Sequence, residues 1–356
     1  MFKVKIENLK QLEIVIPSKK VSEIILSRDS FAECDLTKLV DKIKKSGKLA
    51  WILMERISRY EENMKPVGAN TKIVGANAKS VGANAKIVGA NACGARIRKG
   101  ELCEPASMDL RTSTDKIYEI KNLDGIIIQN LDSFAYMLRK INKAANQNLM
   151  VELNYTMNCY NDETKKVLET LYNEKRNNAK EVPLLFTAPL ELNTYELSDV
   201  GYDTMILYSY IDTMVSANCL RKNTHTGDPI CKYRFNFNKV QDYSSYIIDR
   251  KGKKLHYKTY CKYCYNKIFN TEPLFLLDKI EEIKQLKILR QDEHVDHKVY
   301  GDVVGANTCG ARRMGELCEP SYRIDFSFEN DKEVKDILSM KCPESFTRGH
   351  YKSSIK

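Results

Sequence analysis

Four cysteines have the type and spacing to do chemistry in this chain: Cys219, Cys231, Cys261 and Cys264. The last two form CKYC, a CxxC spacing that puts two thiolates within reach of one metal ion or cluster. Cys219 and Cys231, from the preceding loop, would complete four-coordination. Tetrahedral sulfur ligation suits zinc or an iron–sulfur cluster. His225 lies between the first pair and could stand in as a ligand. The bland alternative is a set of buried or incidental thiols. Redox use of the CxxC alone fits poorly, because the motif does not follow a strand at the start of a helix as thioredoxin motifs do.

The chain has 11 cysteines, and four more of them belong to repeats. VGAN recurs at Val67, Val74, Val81 and Val88, and the run ends in CGARIRKGELCEP, from Cys93 to Pro105. A near copy, VGANTCGARRMGELCEP, spans Val304 to Pro320. Gly and Asn disfavour helix interiors, so the seven-residue period is not a coiled coil. One peptide in two unrelated contexts reads as inserted, structurally passive sequence. Such polar tracts bury little apolar surface and are expected to form mobile loops. Cys93, Cys103, Cys309 and Cys318 are therefore set apart from the quartet, although a metal reading of them is possible. The odd total also argues against a fully paired disulfide framework.

Length and composition bound the rest. With 356 residues and 43% apolar content, the chain can bury a sizeable core in one large domain or two ordinary ones. The net charge of +10 permits an anionic partner such as RNA. Basic and acidic residues nevertheless alternate in DLTKLVDKIKKSGK and DKIEEIKQLKILRQDE, as on solvated helix surfaces. No apolar run approaches the roughly 18 residues of a membrane span. MFKVKIENLKQ lacks a basic stretch followed by an apolar one. The expectation is a soluble, cytoplasmic protein with no membrane partner.

The elements that must position the thiols alternate between β-rich and amphipathic helical runs. FKVKI precedes ENLKQLEIVI, SEIILSR precedes DLTKLVDKIKKSG, and LAWILME precedes RISRYEENM. DGIIIQN precedes LDSFAYMLRKINKA, LMVELNY precedes DETKKVLETLYNEK, and VPLLFTA precedes ELNTYELSDV. TMILYSY leads into the cysteine segment and then EPLFLLDKIEEIKQL, read as a helix; YRIDFSF precedes DKEVKDILS. Asp35 and Asp162 are read as helix caps. Eight strand–helix units predict an α/β protein of the (β/α)8 TIM-like barrel class, with an open doubly wound sheet as runner-up. A polar stretch turning at Lys251–Gly252 reads as a β-hairpin. The expected organisation is first barrel units over 1–65, a repeat insertion over 66–108, and middle units over 109–215. A cysteine-bearing excursion over 216–272 follows strand 7. The last unit covers 273–356 with a second insertion at 303–321.

In such barrels the functional face lies at the C-terminal ends of the strands. Both insertions fall on the opposite face, after a helix and before the next strand. Residues just past strand ends are the candidate mouth groups: Arg28, Glu55, Arg56, Asn130, Asn154, Tyr210, Asp325 and Glu329. Each could equally be an ordinary surface polar residue.

MVSANC, the YIIDRKGKKL hairpin and CKYCYNKIFNTEPLFLL resemble the signature region of peptidase family U-32, the collagenase-like proteases. SEIILSRDSF, DGIIIQNLDSF, LMVELNYTMNCYNDETKK and YRIDFSFENDKEVKDIL resemble that family's other conserved runs. The resemblance spans nearly everything outside the insertions. Where the family has an apolar residue or Pro before its MVS, this chain has Asp212. Better understood relatives are hydroxylation enzymes acting on RNA bases or quinone precursors. The resemblance thus implies a 4Fe-4S cluster on Cys219, Cys231 and Cys264, with Cys261 taken as the fourth ligand and zinc as the alternative metal. It implies RNA or a small molecule as substrate.

Two other classes remain open at this stage. The family name implies a peptidase with a peptide substrate, but HVDH (His294 to His297) is not HExxH and no GxSxG occurs. A non-catalytic barrel with a structural metal would use the same thiols.

Overall fold

The computed structural model describes residues 1–31, 33–57, 115–179, 181–217, 243–261, 265–285 and 321–352, with only the backbone at 33–35 and 243. Both repeat insertions, apart from Ser321, lie outside these residues, as do HVDH and most of RISRYEENM. The chain divides into two units. One contains residues 1–58, 115–212 and 269–356; the other contains 59–114 and 213–268.

The larger unit is built on nine strands. They are β1 (Phe2–Ile6), β2 (Val21–Ser27), β3 (Leu49–Leu53), β4 (Gly125–Ile128), β5 (Met150–Leu153), β6 (Leu184–Phe186), β7 (Thr204–Ser209), β12 (Leu274–Phe275) and β13 (Ser321–Asp325). Their spatial order is β12-β7-β13-β1-β2-β3-β4-β5-β6, parallel throughout except for β12. The parallel strands run in chain order and the last lies beside the first. A doubly wound sheet would reverse direction at a switch point, so the runner-up reading fails. The short β6 and β7 meet at a parallel bridge, Thr187 to Thr204, where Ala188 N–H donates to the Thr204 carbonyl at 2.7 Å.

The sheet is curled, and one ion pair demonstrates it. Lys3 on β1 and Glu152 on β5 are four strands apart in the sheet order, yet Nζ lies 2.5 Å from Oε2. In a flat sheet they would be roughly 19 Å apart, at about 4.8 Å per strand. The result is a barrel-like α/β fold. In β1, Val4 and Ile6 are fully buried on one face, while the intervening Lys3 and Lys5 share the opposite face. Cover comes from α1 (Leu9–Val15), α2 (Glu33–Lys45), α3 (Leu131–Lys140), α4 (Asp162–Lys175), α5 (Thr194–Val200), α6 (Ile280–Gln285) and α7 (Asp331–Leu338).

Asparagine starts these helices more often than expected. Asn8, Asn130, Asn161, Asn193 and Asn330 each accept backbone N–H bonds at the N-termini of α1, α3, α4, α5 and α7. The cap of α4 is thus Asn161 and not Asp162, which is the first helical residue and favours the positive end of the helix dipole. Nor does Asp35 begin α2, which starts at Glu33. EPLFL is not helical either. Leu274 and Phe275 pair antiparallel with Ser209 and Tyr208 of β7, and a 3-10 turn over Leu277–Lys279 leads into the helix at Ile280. The buried β7 edge offers unpaired backbone groups, and satisfying them outweighs the helical pattern.

The described part of the smaller unit is a four-stranded sheet in the order β8-β11-β10-β9. Its strands are β8 (Asp212–Ser216), β9 (Tyr243–Ile248), β10 (Lys254–Tyr260) and β11 (Tyr265–Phe269), of which the end residues Asp212 and Phe269 belong to the larger unit. β9 and β10 form the expected hairpin. Gly252 turns it with a φ of +77°, a region that costs glycine little.

Candidate functional site

The inward alternates of β1, β2, β5 and β13 carry charge, beside an apolar cluster of Ile25, Trp51, Leu53 and Ile127. Lys3 reaches Glu152 at 2.5 Å and Glu23 at 3.6 Å, and its ammonium sits 3.1 Å from the Trp51 ring centroid. Arg323 clamps Asp325 with two bonds, from Nε at 2.6 Å and NH2 at 2.8 Å. Its NH1 donates to Asn154 Oδ1 at 3.0 Å. Thr187 Oγ1 donates to Glu152 Oε1 at 2.5 Å, and Lys5 pairs with Glu7 at 3.1 Å. Lys3, Glu152 and Arg323 are at most 2% exposed. Charges at that depth persist only when paired and hydrogen-bonded.

The electrostatics follow from this pairing. Burial alone would raise the Glu152 carboxyl, but Lys3, Arg323 and the bonds from Lys3 and Thr187 hold it below the ordinary carboxylate range. Burial works against the charged form of Arg323 too, and Asp325 and Glu152 outweigh it. Lys5 is likewise raised despite its burial, by Glu7 and Asp325. Tyr155, just past β5, donates to Asp212; burial first and that carboxylate second push its hydroxyl well above the usual tyrosine range.

Most of the expected mouth residues join one network above this layer. Arg28 and Glu55 form a buried ion pair at 2.7 Å. Asn130 Nδ2 donates to the carbonyls of Glu55 and Arg56, while its Oδ1 caps α3. Arg56 NH1 donates to the Gln129 carbonyl at 2.8 Å. Asn154 Nδ2 approaches Gln129 Oε1 at 3.4 Å and links the network to Arg323 and Asp325. Two candidates stand apart from it. Tyr210 packs edge-on against Phe328. Glu329 accepts the N–H groups of Ser327 and Phe328 through one oxygen, at 2.5 and 2.9 Å. The Ser327 hydroxyl has no hydrogen-bond partner among the described residues. Burial pushes the Glu329 carboxyl up to about 7, against those N–H bonds and the Tyr208 hydroxyl.

Lys3, Lys5, Glu23, Glu152 and Arg323 were not expected. Their signal was present in FKVKI, VSEIILS, MVEL and SYRID: charges at alternating positions of strands whose other face must meet helices. Such alternation leaves the charges nowhere to point but inward.

Of the cysteine quartet, only Cys261 falls among the described residues, half-buried at the end of β10. Cys219, Cys231 and Cys264 lie outside them, as does His225. Among the described residues no group of three or more His, Cys, Asp and Glu side chains is placed to hold a metal ion, and no helix is long and apolar enough to cross a membrane. Compared with known proteins, the chain matches no family model, no curated protein and no solved structure.

Proposed function

We propose that the chain is a closed (β/α)8 barrel enzyme of the U-32 type. On this reading it holds a 4Fe-4S cluster on Cys219, Cys231, Cys261 and Cys264, and it acts on RNA or a small polar molecule at the C-terminal ends of its strands. The observation that carries the reading is the buried charged layer of Lys3, Glu152, Arg323 and Asp325 beneath Asn154. A barrel with no ligand to hold would gain stability from an apolar filling, because desolvating ion pairs costs about as much as it returns. Paired charges with perturbed titration at a strand-end mouth support reading this end as the site.

The donor set suits the cluster. Four thiols supply soft anionic sulfur, and the CxxC brings two of them close. A bound cluster would supply redox or Lewis-acid chemistry there. Arg323 and Asn154 would orient the polar groups of a substrate, and the Tyr155–Asp212 pair would keep the phenol protonated beside them.

Anaerobic purification followed by iron and acid-labile sulfide analysis tests this. The expected result is a brown protein with about four of each per chain. A colourless, iron-free protein rules the cluster out, and one zinc per chain moves the reading to a barrel with a structural metal.

A further inference from the structure

We infer that the β9–β10 hairpin is a docking surface for single-stranded RNA; naming RNA rests on the function proposed above. The antiparallel register puts Ile248 opposite Lys254, Tyr246 opposite His256, and Ser244 opposite Lys258. These residues therefore share one face of the hairpin. Tyr246 is 50% exposed and Ile248 is 58% exposed, and the Lys254 ammonium lies 5.0 Å from the Tyr246 ring centroid. The turn adds Arg250, Lys251 and Lys253, all exposed. The only carboxylate in the turn is Asp249, whose Oδ1 already accepts the N–H groups of Lys251 and Lys253 at 2.8 Å each.

An exposed aromatic ring with one cation over it and three more in the adjoining turn matches a chain of phosphates with accessible bases. The cations neutralise phosphate, and the ring face stacks any unpaired base. A duplex offers the charge and hides the base faces. An anionic membrane offers the charge alone. The competing structural reading is that lysines guard a sheet edge against aggregation. That reading would place them on β9, the edge strand of this hairpin. Its sequence YSSYII carries no charge.

Fluorescence anisotropy of the full chain with a labelled 12-nucleotide single-stranded RNA tests the surface. Binding is expected to weaken with salt, with a log–log slope of about −3 for four phosphate contacts. Tyr246→Ala is expected to bind roughly tenfold more weakly and Tyr246→Phe to restore affinity. A Lys251→Ala/Lys253→Ala double variant should flatten the slope by about 1 to 2. Absence of binding, equal binding to duplex RNA or to phosphatidylserine vesicles, or no loss in Tyr246→Ala would each overturn the inference. Iron content of the same preparations separates the two readings: a cluster-bearing protein that ignores RNA removes only the surface, and an iron-free protein that binds RNA removes only the cluster.

Discussion

Lys3 and Glu152 stand 149 residues apart in the chain and 2.5 Å apart in the fold. Both are sealed from solvent, so each offsets part of the other's desolvation. Lys3→Met should destabilise the protein by about 3 kcal/mol, because Glu152 loses its nearest cation while it and Glu23 stay buried. Adding Glu152→Leu should recover at least about 1 kcal/mol of that loss. Urea denaturation followed by Trp51, the chain's single tryptophan and a neighbour of the Lys3 ammonium, reads both changes. Additive losses in the double variant would show that the pair is not coupled.

Two buried glutamates should give opposite pH dependence. The Glu152 carboxyl is held below its ordinary 4.5, so its contribution is complete above that pH and is lost as pH falls through the depressed value. Glu152→Gln should remove that part of acid denaturation. Glu329 is raised from 4.5 to about 7, so the folded state binds the extra proton in between. Stability should therefore fall as pH rises from about 4.5 to 7, by at most roughly 3 kcal/mol. Glu329→Gln should abolish that slope and be the more stable protein at pH 8. Thermal melts at half-unit pH steps check both.

Gly125 is required by the indole beside it. A Cβ at this position would lie 2.3 Å from Trp51 Cε3 and Cζ3, ring atoms wedged in the core. Gly125→Ala should cost about 1–3 kcal/mol through overpacking and shift the tryptophan emission. An unchanged spectrum and melting temperature would show that the ring has room to move.

The cysteine assignment separates Cys261 from Cys342, an exposed thiol outside the quartet. Cys261→Ala should lower the iron bound per chain several-fold after anaerobic purification. Cys342→Ala should leave it unchanged. Equal iron in both variants would remove Cys261 from the ligand set.

The order of elements was legible in the sequence because it depends on local periodicity. Apolar β-branched runs such as GIII and amphipathic runs such as LDSFAYMLRK carry their conformation in a few neighbouring residues. The hairpin turn at Gly252 was legible for the same reason. The strand at Leu274 was not, since a two-residue strand exists only where a neighbour's edge is open. Candidate residues just past strand ends followed from counting along the chain, and the structure joins Arg28, Glu55, Arg56, Asn130, Asn154 and Asp325 by hydrogen bonds. What counting could not supply was the partnership of Lys3 with Glu152, or of Arg323 with Asn154. Those contacts depend on the curl of the sheet, which brings strands four and five places apart face to face. Curl arises from the twist summed over all strands and from the meeting of β6 with β7. Sequence thus determined which residues alternate inward; only the closing of the sheet decided which charges they would meet.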